Sequence, residues 1–471
     1  MLSYFKANDP YRLLGAFLLL IIIRVSILVS GVPLIIPELK WLLIGERLGS
    51  GDMVMYRDVW DYSAPLSVMV YKWLDILFGK SRLTYQIVSL LIVGFQAALF
   101  NQLMLKNKAY NTSSYVPALI YILMINMFFD FLTLSPVLMS MTFILLALNN
   151  LFKRMDNQTQ DELFIFTGVY LGIATLFYLP SIFYVVVTLL SLLLYTGSIF
   201  RRIALLIYGM LIVFVLAGLY FYWNDSFLIY NHHLFKSLWI VNTYKFIDGQ
   251  SMLLMMLVPT VILVVSVYKT LKLGRFVNFQ SKIQSVMLMF IISGILAFWM
   301  IKERTTYQLI YFVPSLAFFV AHYLLVIRNW ILAEANFILI FTLIILNHLF
   351  PLKGWLFVNK LVSLDNLIVV QSEYAAITED KNILVIGEGI HHYQNAHLVT
   401  PYLDWQLSKI LFSHLNYYDN TAEVFQSINK ELPEVIIDEQ NIVPELFGMM
   451  PTIESKYLPH VRFKGVYLLK D

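Results

Sequence analysis

The chain has 471 residues, 59% hydrophobic and 13% charged, with a mean hydropathy of +0.72. Soluble domains are roughly half apolar and about a quarter charged, so a soluble enzyme, a disordered chain and a collagen-like chain are all excluded. The net charge of +3 comes from dispersed basic residues and gives no basis for nucleic-acid binding. Zero cysteines excludes disulfides, thiol catalysis, cysteine–zinc sites and iron–sulfur clusters.

Apolar runs long enough to cross a bilayer fall at 13–32, 86–105, 115–133, 136–152, 163–179, 181–199, 203–222, 251–268, 283–300, 307–327 and 331–350. They predict a polytopic α-helical membrane protein of about eleven spans, with tight reversals at Pro136 and Pro180. The first run lacks a small-residue cleavage site and reads as a retained span. Lys6, Arg12, Lys106, Lys108, Lys153, Arg154, Arg201, Arg202, Lys269, Lys272, Arg275, Lys282 and Arg328 all fall on one side. The positive-inside rule makes that side cytoplasmic, with the N-terminus inside and the C-terminal segment outside.

Two outward loops are long, 33–85 and 223–250. After about residue 351 the apolar density drops and strand-like runs at 383–386, 435–437 and 466–469 alternate with helical stretches at 405–412 and 422–428. This predicts a transmembrane domain over 1–350 and a small extracytoplasmic α/β domain over 351–471.

The first loop concentrates carboxylates beside aromatic residues: Glu38, Glu46, Asp52, Asp58, Asp61 and Asp75. Neighbouring like charges and partial burial raise a carboxylate pKa towards neutrality, which suits general-base work or metal binding. A solvated loop with helix-capping acids is the alternative. The basic pair Lys302 and Arg304, where a short outward turn meets the membrane, suits an anionic lipid headgroup, or else snorkels to the interface. His232 and His233 in the second loop read either as metal ligands or as part of an interfacial aromatic belt. Gly387-Glu388-Gly389 has His392 where a dinucleotide fingerprint needs its third glycine, and so reads as a structural strand-to-helix turn. His391, His392 and His397 read as a surface cluster, Asp130 as a marker of the outer interface, and His322 and His348 as isolated residues within spans.

Several segments together resemble GT-C glycosyltransferases, the membrane enzymes that include protein O-mannosyltransferases and the aminoarabinose transferases of lipid A. They are Glu46-Arg47-Leu48, Gly51-Asp52, the run from Tyr56 to Asp61, and Pro65-Leu66 in the first loop. Lys302-Glu303-Arg304-Thr305-Thr306-Tyr307 with Phe312-Val313-Pro314, and then Thr400-Pro401 and Pro433-Glu434, extend the likeness along the chain. The resemblance implies a bacterial inner-membrane transferase that moves a sugar from a polyprenyl-phosphate donor to an acceptor by direct, inverting displacement. It implies Glu38 or Asp58 as acceptor base and Asp61 as substrate- or metal-orienting group. Lys302, Arg304 and Tyr307 would bind the donor phosphate, and Asp61 with His232 and His233 would hold a divalent metal ion. The Asp-Glu pair that opens this loop in active members is absent. Ile36 and Pro37 stand in its place, with Glu38 the nearest carboxylate. A non-catalytic scaffold of the same fold, partnered by an envelope protein, is therefore the second expectation. A transporter would show paired charges deep in its spans and repeated halves, and the sequence shows neither.

Overall fold

The computed structural model describes residues 1–29, 31–155, 161–195, 199–232, 246–273, 276–301, 303–353 and 362–470. Two compact units share the chain: 1–32, 85–217 and 240–366 form one, and 33–84, 218–239 and 367–471 form the other.

The first unit is helical. Among the described residues, eight helices are long and apolar enough to cross a membrane: Tyr11–Val29, Arg82–Lys106, Pro136–Met155, Ile199–Trp223, Gly249–Lys272, Asn278–Trp299, Thr306–Val326 and Trp330–Leu349. Several carry apolar side chains on their outer faces, such as Leu14, Leu18 and Ile22 on the first. Lipid solvates such faces and water does not. Two further expected runs form shorter apolar helices, Glu162–Phe177 and Leu179–Tyr195, the second opening with a 3-10 turn at Leu179–Phe183 around Pro180.

The 115–133 run departs from a single helix. It forms the nine-residue helix Val116–Met124, then a 3-10 turn at Phe129–Leu132, and Pro136 opens the next helix. A break in apolar surroundings frees backbone carbonyls that must find donors. His348 Nδ1–H donates to the Asn126 carbonyl at 3.2 Å, Asn347 Nδ2 to that of Met127 at 3.3 Å, and Arg24 to that of Phe131 at 3.4 Å. Arg24 is buried and also donates to Asn126 Oδ1 at 3.2 Å and Ser89 Oγ at 2.9 Å.

Helices Glu162–Phe177 and Ile199–Trp223 approach closely at glycines. A Cβ on Gly168 would lie 2.1 Å from the Leu206 carbonyl oxygen, and one on Gly209 would lie 2.2 Å from that of Ile165. Gly168 and Gly172 are spaced as in small-residue helix contacts of membrane proteins.

The second unit carries the α/β segment. Strands β1 (Asn382–Ile386), β2 (His397–Leu398), β3 (Val435–Asp438), β4 (Tyr457–Pro459) and β5 (Val466–Leu469) form a mixed sheet in the order β2-β1-β3-β5-β4. β1 runs parallel to β2 and β3, while β5 is antiparallel to β3 and β4. The sheet residues Leu384, Ile386 and Ile436 pack with Phe412, Val424 and Ile428 from the helices Trp405–Phe412 and Tyr418–Lys430. Strands β1, β3 and β5 and both helices lie where the sequence predicts them; β2 and β4 are too short to leave a pattern. The helices Ile36–Gly49 and Pro65–Phe78 of the first loop, each 14 residues long, belong to this unit.

Gly168→Val will force two helix backbones apart and cost about 1–3 kcal/mol. Gly51→Ala, with nothing within 4 Å of its added Cβ, will stay within about 0.5 kcal/mol of the unmodified protein. Thermal unfolding of the detergent-solubilised protein measures both.

Candidate functional site

The first loop folds as part of the α/β unit, and four of its carboxylates, Glu38, Glu46, Asp58 and Asp61, are ion-paired. Pro37 sits in the first turn of the Ile36–Gly49 helix, whose residues are buried nearly all round, Glu38 and Lys40 included. Lys40 Nζ lies 2.6 Å from Asp61 Oδ2 and 2.8 Å from Asp404 Oδ2. Asp404 also caps the Trp405–Phe412 helix, its Oδ1 accepting the Gln406 N–H at 3.0 Å. Backbone bonds add to the join: Trp60 N–H donates to the Pro401 carbonyl at 2.7 Å and Asp404 N–H to that of Trp60 at 3.2 Å.

Glu38 pairs with Arg82 at 3.1 Å. Asp58 pairs with Arg57 at 2.9 Å and Lys430 at 3.4 Å, and accepts the Val54 N–H at 2.9 Å. Glu46 lies 2.8 Å from Lys80 and 2.6 Å from His397 Nδ1. In the same loop Tyr56 takes a left-handed φ of 72°. Its hydroxyl donates to the Ser63 carbonyl at 2.8 Å, and its ring lies 5.6 Å from that of Phe221 and 6.0 Å from that of Tyr230.

These pairings set the protonation states. Burial pushes the Asp61 carboxyl up, but the Lys40 ammonium and the Ser63 hydrogen bonds outweigh it and hold it below the ordinary range. Burial likewise raises Asp58, and the Val54 N–H with Arg57 and Lys430 overcomes it, so Asp58 is also held low. Asp75 is the loop acid that moves up, through burial and the neighbouring Glu46 charge. The expected rise towards neutrality thus occurs at Asp75 and not at Asp58 or Asp61.

Of the metal ligands expected together, Asp61 is ion-paired with Lys40. His232 is exposed at the end of a short helix, and His233 lies outside the described residues. Among the described residues no three His, Asp or Glu side chains come together to hold a metal ion. The histidine cluster also differs from a surface patch. His392 is buried between Ser372 Oγ at 2.6 Å and Glu439 Oε1 at 3.0 Å, and the Glu439 carboxyl is held low against burial by that histidine and the Gly389 N–H.

In the helical unit, the turn after the broken 115–133 run carries Asp130, 2% exposed. Thr306 Oγ1 donates to Asp130 Oδ2 at 2.6 Å, while Oδ1 is buried with no hydrogen bond among the described residues. Thr306 opens the 3-10 turn Thr306–Phe312, whose start is fixed by Gln308: its Oε1 accepts the Thr305 N–H at 3.0 Å and its Nε2 donates to the Glu303 carbonyl. Further along, the Tyr311 hydroxyl lies 2.7 Å from Ser181 Oγ, and Tyr184 donates to the Tyr311 carbonyl at 2.9 Å. Of the expected phosphate-binding residues, Tyr307 is buried and Arg304 half-buried, its Nε without a hydrogen bond among the described residues. Lys302 lies outside the described residues. Asp130 is the functional candidate that the sequence reading passes over. Its signal was a lone acid in an apolar run shortly before Ser135-Pro136.

Replacing Lys40 by Met will leave two aspartates buried beside an apolar side chain and cost about 3–5 kcal/mol, read as loss of the cooperative thermal transition. Asp58 and Asp61 titrate below their ordinary 3.8 in the folded protein. The stability they contribute is therefore complete well above pH 3.8 and is lost as pH falls through the depressed folded values. Acid titration followed by near-ultraviolet circular dichroism will show this loss below about pH 4, and Lys40→Met will flatten it.

No protein-family model and no curated protein matches the sequence. Among solved structures, ArnT from Cupriavidus metallidurans in the apo state superposes with a TM-score of 0.52 at 14% identity, covering 73% of this chain and 65% of that one. This chain thus spans just under two thirds of the length of that protein. ArnT from the same organism bound to undecaprenyl phosphate gives 0.47 at 13% identity over 69% and 63% of the two chains. The oligosaccharyltransferase AglB from Archaeoglobus fulgidus, in complex with an inhibitory peptide and a dolichol-phosphate, gives 0.45 at 12% over 98% and 74%. Its apolar helices and the likeness to the apo ArnT structure give this chain a polytopic helical membrane fold similar to that of ArnT, with a small mixed sheet in its second unit.

Proposed function

We propose that the protein transfers a sugar from a polyprenyl-phosphate donor to an acceptor at the outer face of a bacterial inner membrane. On this reading the N-terminus is cytoplasmic and the α/β unit periplasmic, an orientation supported by the one-sided lysines and arginines. The observation that carries the proposal is Asp130: a buried carboxylate in a helical unit of GT-C type, with one oxygen tied to Thr306 and the other bare among the described residues. A carboxylate so placed can take a proton from an acceptor group. The acceptor atom then bonds to the anomeric carbon, the carbon–oxygen bond to phosphate breaks, and polyprenyl phosphate leaves with its electron pair. Arg304 makes no ion pair among the described residues and offers a guanidinium to that phosphate, with Tyr307 three residues further along the chain. Asp58 and Asp61, held low by their cations, serve by fixing the loop; Glu38 and Asp130 remain as the two candidates for the base.

The second reading is a scaffold of the same fold within an envelope complex. The observation that favours it is the engagement of Glu38, Asp58 and Asp61 by Arg82, Arg57, Lys430 and Lys40.

Turnover of a radiolabelled polyprenyl-phosphate sugar by the purified protein separates the two. Asp130→Asn or Glu38→Gln, whichever removes the base, will lower kcat by about 10²–10⁴, and Arg304→Met will weaken donor binding. Absence of transfer by the unmodified protein with a panel of donor sugars would establish the scaffold.

A further inference from the structure

A cavity of about 500 Å³ opens in the helical unit, between the end of the Arg82–Lys106 helix with its following loop and the start of the Asn278–Trp299 helix. Its lining is two-sided. Met104 and Phe279 contribute apolar surface, while Lys108, Thr112 and Ser113 contribute an ammonium and two hydroxyls. No aspartate or glutamate lines it, so the one charge it presents is positive. Lys108 forms no ion pair among the described residues.

The loop that presents this lysine is fixed. Lys108 itself adopts a left-handed φ of 48°, ending the helix. Gln280 Nε2 donates to its carbonyl at 3.3 Å, and the following Ala109 N–H donates to the Met104 carbonyl at 3.0 Å. The side chains of Lys108, Thr112 and Ser113 are exposed, so the cavity is reached from outside. It lies at the lysine-bearing end of two helices long enough to span a membrane, where lipid headgroups sit.

We propose that this cavity binds a phosphate-bearing anionic amphiphile, its phosphate on Lys108 and the two hydroxyls and the start of its chain along Met104 and Phe279. The volume falls within the range of small-molecule sites, and a cation beside hydroxyl donors with no competing carboxylate selects a phosphate anion over a zwitterion or a cation. The site is independent of the transferase reading, since none of its residues belongs to the turns that carry Asp130 and Arg304.

Native mass spectrometry of the full-length protein in detergent provides the test, with phosphatidylglycerol, phosphatidylcholine, glycerol 3-phosphate and inorganic phosphate as separate probes. The unmodified protein will retain phosphatidylglycerol over phosphatidylcholine, Lys108→Ala will lower that retention about fivefold, and Lys108→Arg will restore it. Lys108-dependent retention of glycerol 3-phosphate or inorganic phosphate as well would assign the same site to soluble phosphates. Equal retention of the two lipids, or Lys108→Ala binding phosphatidylglycerol as the unmodified protein does, overturns the proposal.

Discussion

In hydrocarbon, a backbone carbonyl that leaves its helix has no water to turn to. The helical unit has such a place between two of its helices. The 125–135 segment abandons helical geometry inside the protein, and its carbonyls at Asn126, Met127 and Phe131 are met by His348, Asn347 and Arg24. An arginine in a membrane helix is costly on its own. Here its donors are distributed over Asn126, Ser89 and a carbonyl, so the same residue closes the break and satisfies itself. The break in turn sets Asp130 on a short turn against Thr306 rather than on a helix face looking into lipid.

The α/β unit depends on a different balance. One ammonium, Lys40, faces two aspartates, Asp61 from the first loop and Asp404 from the helix cap 364 residues away in sequence. All three are nearly out of contact with solvent. Desolvation alone would neutralise such acids; the attraction across 2.6 and 2.8 Å keeps the pairing intact. Because Asp61 and Asp404 each need the same lysine, the loop and the C-terminal segment order together. Arg47 with Glu431, Lys430 with Asp58 and His397 with Glu46 tie the same two segments.

What the sequence made legible follows from the range of the interactions concerned. Strands β1, β3 and β5 and the long apolar helices are local patterns, and they lie where hydropathy and alternation put them. The acidic loop was legible as a cluster, since its members are close in sequence. Its electrostatics were not, because the partners that lower Asp58 and Asp61 include Lys430 and Lys40, on other elements. The 115–133 run was misread as one helix for the same reason: a hydropathy window sees the apolar average, while the donors that make the break tolerable come from residues 24, 347 and 348. His392 failed likewise. Its buried place between Ser372 and Glu439 depends on the β1 and β3 turns meeting, which spacing does not reveal.

The distribution of unsatisfied groups bears on where chemistry resides. A buried polar atom without a partner costs about 1–3 kcal/mol, and a fold retains such atoms together where a ligand completes them. Asp130 Oδ1 and Thr133 Oγ1 lie in one turn of the helical unit, and Arg304 Nε and Thr305 Oγ1 lead into the other; all four are buried without a hydrogen bond among the described residues. The two turns pack against each other. In the first loop Asp58 and Asp61 are instead ion-paired, Asp58 with Arg57 and Lys430 and Asp61 with Lys40. The loop that drew notice for its acids thus holds segments of the α/β unit together through its ion pairs, while the less conspicuous acid in the apolar run keeps one carboxylate oxygen without a hydrogen bond among the described residues.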